Sequence, residues 1–346
     1  MHVTVLKGTD SPERDVSLET AAAVEAALAR RGHTVAAIDL ASIADVPGLD
    51  LDATDLVFPA LHGGHGEDGH VQALLDVMGV PYALSGHLAS AVAMSKATSK
   101  RVMTSAGIAT AEWLLVTWNR RTGSPVMLTP GPGATNGTGP TAGNGLGSPP
   151  LTLDHILDRA TAELGFPLVI KLNDGGSSVG VEIVGSPADF EAAFARVADT
   201  ASATAWRTEI LIERFIPGRE FTATILLGRR LPLLEIRPHQ GFYDYGNKYT
   251  RGASEYLCPA PVDSPYYENM CADALRLWDL LGCQGTARVD FRFDGTRHFC
   301  LELNTIPGMT ELSLVPKAAA AVGIGFDDLI ESLCRDALVR AGREVA

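Results

Sequence analysis

The sequence contains no C-x-x-C pair. Its five cysteines, Cys258, Cys271, Cys283, Cys300 and Cys334, are odd in number and match no zinc-ligand spacing. That excludes a disulfide framework and a zinc ribbon, and it predicts free thiols in a reducing cytoplasm. No run approaches the ~18 apolar residues that a membrane-spanning helix needs. The first residues, "MHVTVLKGTD", lack a charged segment followed by a long apolar one, so no signal peptide is expected. Basic residues are in deficit, with 28 Lys and Arg against 41 Asp and Glu, a net charge of -13. This argues against non-specific binding to nucleic acid or to an anionic membrane. A local basic pocket for phosphates remains compatible with it.

What is present suits a folded globular chain. With 346 residues, 46% of them hydrophobic and 20% charged, it can build a sizeable core and more than one domain. "HVTVLKG", "TVAAIDL" and "DLVFPALHG" read as strands, separated by the helical pattern "VSLETAAAVEAALARRGH", which Gly32 stops. "DGHVQALLDVMG" is a second helix. Strand and helix alternation predicts a parallel sheet over residues 1–95. Residues 96–210 contain a helix in "SKATSKRVMTSAG" and a strand in "FPLVIKLN". Between these lies "GSPVMLTPGPGATNGTGPTAGNGLGSPP", residues 123–150, nearly uncharged and rich in Gly, Pro, Ser and Thr. Such a segment predicts a disordered surface insertion, with a piece of strand at most from Val126 to Leu128. Residues 211–346 mix strands and helices without strict alternation, which predicts an α+β domain with an antiparallel sheet.

Two segments carry chemistry. "ARVDFRF" and "HFCLELN" flank "DGTRH", a hairpin signal. With a five-residue loop, Asp294 to His298, Phe293 pairs with Phe299 and Asp290 falls opposite Glu302. Opposed residues have Cβ atoms about 5 Å apart, and two carboxylates there repel by a few kcal/mol at an effective dielectric near 20. A divalent cation would relieve this, with Asn304 adding a neutral oxygen from the face of Glu302. Such hard oxygen donors suit Mg²⁺ completed by substrate phosphates. The alternative is a solvated edge hairpin. The second segment, "VIKLNDGGSSVGV", puts Lys171 at a strand end before a Gly/Ser loop suited to phosphate oxygens. It is not the G-x-x-x-x-G-K-[ST] loop.

With these in hand, the chain resembles the D-alanine–D-alanine ligases of the ATP-grasp superfamily. The likeness runs through "SPERDVS", "ALHGGHGEDG", "SGHLASAVAMSK", "KLNDGGSSVG", "GREFT", "FYDYGNKY" and "LELNTIPGMT", in family order. It covers nearly the whole chain outside 123–150. It implies a three-domain ATP-grasp fold with an N-terminal parallel-sheet domain, divided as 1–95, 96–210 and 211–346. By the same resemblance, Lys96 and Lys171 bind ATP phosphates, Glu213 the adenine amino group and Glu220 the ribose hydroxyls. Asp290, Glu302 and Asn304 match Mg²⁺ ligands, with Mn²⁺ as a substitute. Arg288 and the Gly308 backbone N–H match the groups that meet the tetrahedral intermediate. Glu13, near His62, matches the carboxylate that holds the first substrate's ammonium. Ser177 and Tyr249 match its hydrogen-bond partners, which tie down the loop "GFYDYGNKYT", and Lys248 on that loop matches the lysine that closes onto the phosphates. Ser313 and Leu314 match positions at the second substrate.

The resemblance further implies an acyl phosphate made from D-alanine and ATP and attacked by a second D-alanine, serving peptidoglycan synthesis in a cytoplasmic homodimer. Each residue has a plainer reading: Glu13 as a charge at a helix start, His62 and His65 as loop histidines, Arg288 as a sheet ion pair. Departures from the family pattern are Lys7, Ser95, Leu172, His70 and His87. The two histidines motivate an alternative acceptor, such as D-serine, D-lactate or another D-amino acid. A non-catalytic nucleotide-binding relative is a third reading, against which the intact Asp290, Glu302, Asn304, Lys171 and Arg288 stand.

Overall fold

A computed structural model describes residues 1–131, 141–142, 151–176, 180–201, 207–239, 252–310 and 313–343. The chain divides into two compact units. One comprises Met1–Met94, Arg219–His298 and Glu302–Ala346; the other comprises Ser95–Gly218 and Phe299–Leu301.

The first unit opens with β1 (His2–Gly8), α1 (Arg14–Arg30), β2 (Thr34–Leu40) and β3 (Leu56–Pro59), then α2 (His70–Met78) and α3 (His87–Met94). The three strands form a parallel sheet in the order β2-β1-β3, as the alternation of patterns requires. Val3, Val5 and Leu6 of β1 are all buried, as expected for a strand covered on both faces. In α1 the buried positions Val16, Thr20, Val24, Ala27 and Leu28 keep helical spacing. Gly32, at φ +78°, takes the left-handed turn that ends it.

The same unit continues with β10 (Arg219–Leu226), β11 (Arg229–Arg230), β12 (Leu234–Pro238), β13 (Ser254–Leu257), α7 (Ser264–Leu281), β14 (Thr286–Phe293), the two ends of β15 (His298–Asn304), whose middle residues Phe299–Leu301 group with the second unit, α8 (Leu314–Ala320) and α9 (Phe326–Arg340). The strands order as β13-β12-β10-β14-β15, with β11 on β10. β10 pairs with β12 and with β14 in antiparallel fashion. Leu329, Ile330 and Leu333 of α9 share one core with Val24 and Leu28 of α1 and Val3 and Val5 of β1.

The second unit holds α4 (Lys96–Ser105), β4 (Trp113–Asn119), β5 (Ser124–Pro130), β6 (Thr141–Ala142), α5 (Leu153–Glu163), β7 (Leu168–Leu172), β8 (Glu182–Val184), α6 (Phe190–Asp199) and β9 (Arg207–Arg214). Its sheet runs β6-β5-β4-β9-β7-β8. Ile210 and Ile212 pack with α5 and α6 residues such as Ile156 and Phe194. Leu211, on the other face, packs with Ala97 of α4 and Trp113. That alternation sends Glu213, two residues on, toward α4.

Two sequence expectations change. Residues 124–130 are not part of a disordered insertion but a sheet strand with Leu128 fully buried. Its partner β4 supplies backbone hydrogen bonds along most of its length, which a Pro/Gly composition cannot reveal. Residues 132–140 and 143–150 lie outside the described residues. The β14–β15 connection is four residues, 294–297, not five. Asp294 accepts hydrogen bonds on one oxygen from Thr296 N, Thr296 Oγ1 and Arg297 N, while Asp294 N donates to Arg297 O at 3.2 Å. This Asx turn closes the loop one residue earlier than the sequence suggests. Glu302 and Asn304 still share a strand face by alternation.

Candidate functional site

In the second unit the sheet and α4 bring three groups together. Glu213 on β9 lies directly across from Val169 on β7 and Trp113 on β4. Its carboxylate is buried, with Lys171 Nζ 2.5 Å from Oε2 and Lys100 Nζ 2.6 Å from Oε1. The Lys100 contact is an ion pair by distance, without a well-angled hydrogen bond on Oε1. Burial alone would raise the Glu213 pKa; the two ammonium groups outweigh it and hold the carboxyl below its usual range. Burial pulls Lys100 below the usual lysine range, against the opposing effect of Glu213.

Lys100 is fully buried and also donates to Thr110 Oγ1 at 2.6 Å. Sequence reasoning named Lys96 and Lys171 and missed Lys100. The available signal was its position four residues after Lys96, one turn further along the same helix. Lys96 opens α4 and donates from Nζ to the Gly175 carbonyl, 2.5 Å away, so it reaches the Gly/Ser loop that follows Lys171. Asn173, also missed, ties that loop down: its Oδ1 accepts from Ala97 N at 2.8 Å, and its Nδ2 donates to Glu209 Oε2 and Ser95 Oγ. Ser95 thus keeps a polar partner for the loop where the family more often has Asp. Leu172 sits beneath Gly175, where an added Cβ would stand 3.1 Å from the Leu172 Cβ.

In the first unit, Asp290 is buried on β14 beside Arg288, whose Nε donates to it at 2.9 Å. Thr222 Oγ1, on the paired position of β10, donates to the same carboxylate at 2.6 Å. Glu220 faces Arg292 across the same strand pair, 3.2 Å apart. Glu302 and Asn304 are half-buried on β15, and Asn304 Oδ1 accepts from Ile306 N at 2.9 Å. Asp290, Glu302 and Asn304 offer hard oxygen donors only, a set that fits Mg²⁺ or Mn²⁺.

Glu13 stands at the start of α1 and is buried. Its carboxylate lies against Gly63: a Cβ there would meet Glu13 Oε2 at 2.8 Å and Ser11 Oγ at 2.3 Å. Gly63 adjoins His62, whose Nε2 pairs with Thr20 Oγ1 at 2.9 Å and whose Nδ1 pairs with Glu67 Oε1 at 3.1 Å. Glu13 and His62 therefore belong to one buried polar patch. Gly308 and Ser313 adjoin as well: a Cβ on Gly308 would stand 2.9 Å from Ser313 Oγ, which accepts from Thr310 N. The Leu314 side chain packs with Leu234 and Ile236, so it helps to fix the start of α8. Ser177, Lys248 and Tyr249 lie outside the described residues.

The two departing histidines sit on the surface. His87 Nδ1 pairs with Asp76 at 2.9 Å and His70 Nδ1 with Asp68 at 2.6 Å, both with more than half of the side chain exposed. The five cysteines are free, four of them buried. No helix among the described residues is long and apolar enough to cross a membrane.

Family models described as "D-ala D-ala ligase C-terminus" and "D-ala D-ala ligase N-terminus" match residues 150–335 and 42–85. A D-alanine–D-alanine ligase of Syntrophotalea carbinolica is 38% identical over 340 residues, covering 98% of this chain and 96% of that one. One of Desulforudis audaxviator is 40% identical over 337 residues, covering 96% and 97%. This chain belongs to the D-alanine–D-alanine ligase family. A solved ligase of that name from Bacillus anthracis, complexed with ATP, is 29% identical with a TM-score of 0.76, over 99% of this chain and 98% of that chain. The fold is the ATP-grasp fold with an N-terminal parallel sheet.

Proposed function

We propose that this chain is an ATP-dependent, ADP-forming ligase that joins two D-alanines into D-alanyl-D-alanine for peptidoglycan precursors. The observation that carries the reading is identity of about 40% to ligases of that name over nearly the full length of both chains. Joining a carboxylate to an amine needs a better leaving group than oxide, and phosphorylation supplies one. The first D-alanine carboxylate attacks the ATP γ-phosphate and ADP leaves. The second D-alanine amine attacks the acyl phosphate and phosphate leaves.

In this reading Lys96 and Lys171 meet ATP phosphates, Glu213 the adenine amino group and Glu220 the ribose. The short contact of Lys171 with Glu213 supports a shared role in one nucleotide. Asp290, Glu302 and Asn304 hold Mg²⁺, or Mn²⁺ in its place. Bound there, the ion spreads the negative charge of the phosphoryl oxygens. Glu13 takes the first ammonium beside His62. Arg288 and the Gly308 N–H receive the oxyanion, and Ser313 and Leu314 shape the second subsite. Ser177, Tyr249 and Lys248 act on the closing loop, which keeps water from the acyl phosphate. We further assign residues 1–95, 96–210 and 211–346 to three functional domains in a cytoplasmic homodimer. The surface positions of His70 and His87 give no support to an altered acceptor.

The test is ADP release with Mg-ATP and D-alanine, against L-alanine, D-serine and D-lactate, for wild type and Glu302→Ala. Dipeptide and ADP from D-alanine, lost in the variant, support the reading. Turnover with D-serine or D-lactate alone would move the acceptor. No turnover in protein that still binds ATP would leave a non-catalytic relative.

A further inference from the structure

We propose that His65, Asp68 and His70 form a binding site for one divalent first-row transition cation of imidazole preference, such as Zn²⁺, separate from the oxygen-only set on β14 and β15. Among the described residues this is the one group of three His, Cys, Asp or Glu side chains whose donor atoms converge, all within 4.8 Å of one another. His65 Nδ1 lies 2.8 Å from Asp68 Oδ2, and His70 Nδ1 lies 2.6 Å from Asp68 Oδ1. The two rings stand edge to face with centroids 4.7 Å apart.

The backbone builds this convergence. Residues Gly64–Gly66 make one short 3₁₀ turn that carries His65. Gly69, at φ +92°, then turns the chain into α2, and no other residue fits there because a Cβ would stand 2.4 Å from the His87 carbonyl oxygen. His70, the first residue of α2, is thereby folded back onto Asp68, which also accepts from the His70 backbone N–H at 3.1 Å. Asp68 is held and largely covered, while the two imidazoles are about 60% exposed.

Two neutral imidazoles and a carboxylate are the donor set of Zn²⁺ and its neighbours, whereas Mg²⁺ prefers oxygen alone. Zn–N bonds of about 2.0–2.1 Å would draw these donor atoms, now within 4.8 Å of one another, onto one centre. Each Nδ1 proton moves to Nε2 of its ring, Asp68 gives one oxygen, and water fills the open positions. The bound ion would cross-link the loop to the first turn of α2.

The experiment uses the full chain, stripped with a chelator and dialysed, then titrated calorimetrically with Zn²⁺ and with Co²⁺ in the presence of excess Mg²⁺. One equivalent should bind. The Co²⁺ spectrum should lack a thiolate charge-transfer band, which separates this site from the cysteines. His65→Ala and His70→Ala should each weaken binding by at least ~10-fold, and Zn²⁺ should raise the melting temperature of wild type but not of the double variant. His65 lies outside α2, so His65→Ala tests the site even if His70→Ala disturbs the helix. Absence of binding in wild type, unchanged binding in His65→Ala, or a thiolate band would each overturn the proposal.

Discussion

Lys100 Nζ stands 2.6 Å from Glu213 Oε1 with neither side chain open to solvent beyond a few per cent. A buried lysine is tolerated only when its charge is matched, and here one carboxylate serves two ammonium groups, Lys100 and Lys171. Removing Lys100 leaves Glu213 with Lys171 alone and leaves Thr110 without its donor. Lys100→Met should therefore cost about 3 kcal/mol of unfolding free energy, the low end for a broken buried pair. Urea denaturation should show it, and Lys100→Met with Glu213→Gln should lose less than the two single changes summed. A loss below ~1 kcal/mol would show that the pair is not held as described.

Gly63 is constrained twice, by φ +72° and by Glu13. In Gly63→Ala the new Cβ would have to displace the Glu13 carboxylate, Ser11 or the loop itself. If Glu13 holds the first ammonium, the variant should lose roughly 10–100-fold in kcat/KM for D-alanine, the penalty of a misplacement on the order of 1 Å. The KM for ATP should stay near wild type, because the change lies on the amino-acid side. Steady-state kinetics varying each substrate in turn separates the two. An equal loss for both substrates would point to a general loss of folding.

Regular elements were legible in the sequence where one residue period dominated. The spacing of Val16, Thr20, Val24 and Leu28 reads as a helix, and Gly32 marks its end. The Pro and Gly content of 124–130 hid β5, because its stability comes from pairing with β4 and not from local preference. The hairpin was legible but its length was not, since the Asp294 side chain closes the turn by itself. In the site, Lys171 was legible through its motif, and Glu213 only through the family resemblance. Lys100 was not, because polarity assigns a lysine to the surface and only the fold supplies its buried partner. His70 and His87 stood out against the family pattern, and the fold places both on the surface, at the starts of α2 and α3.

The thiols should separate by burial. Cys258 is the only cysteine that is not buried, and its partial burial raises its pKa; fuller burial pushes the Cys271 pKa up to about 11 and the Cys283 pKa up to about 12. Thiolate is the reactive form. A maleimide at neutral pH should label Cys258 first in native protein, with Cys271, Cys283, Cys300 and Cys334 following only on denaturation. Peptide mapping of a time course checks the order. Early labelling of Cys334, inside the α9 core, would show that this core opens readily.

Asp294 gives a pH dependence of known sign. Hydrogen bonds from the Arg297 backbone, then from the Thr296 side chain and backbone, hold its carboxyl below the ordinary value of 3.8. A carboxylate with a depressed folded pKa binds fewer protons in the folded state than in the unfolded state between the two values. Its contribution is therefore complete above the unfolded value and fades as pH falls through the folded one. Asp294→Ala removes the turn's acceptor and should cost about 1 kcal/mol at pH 7, the ordinary net worth of a hydrogen-bonded group near the surface. The difference between wild type and variant, followed by urea denaturation from pH 7 downward, should hold steady to about pH 4 and then shrink. A difference that stays constant below pH 3 would mean that the turn is held by its backbone bond and Gly295, and not by the charge of Asp294.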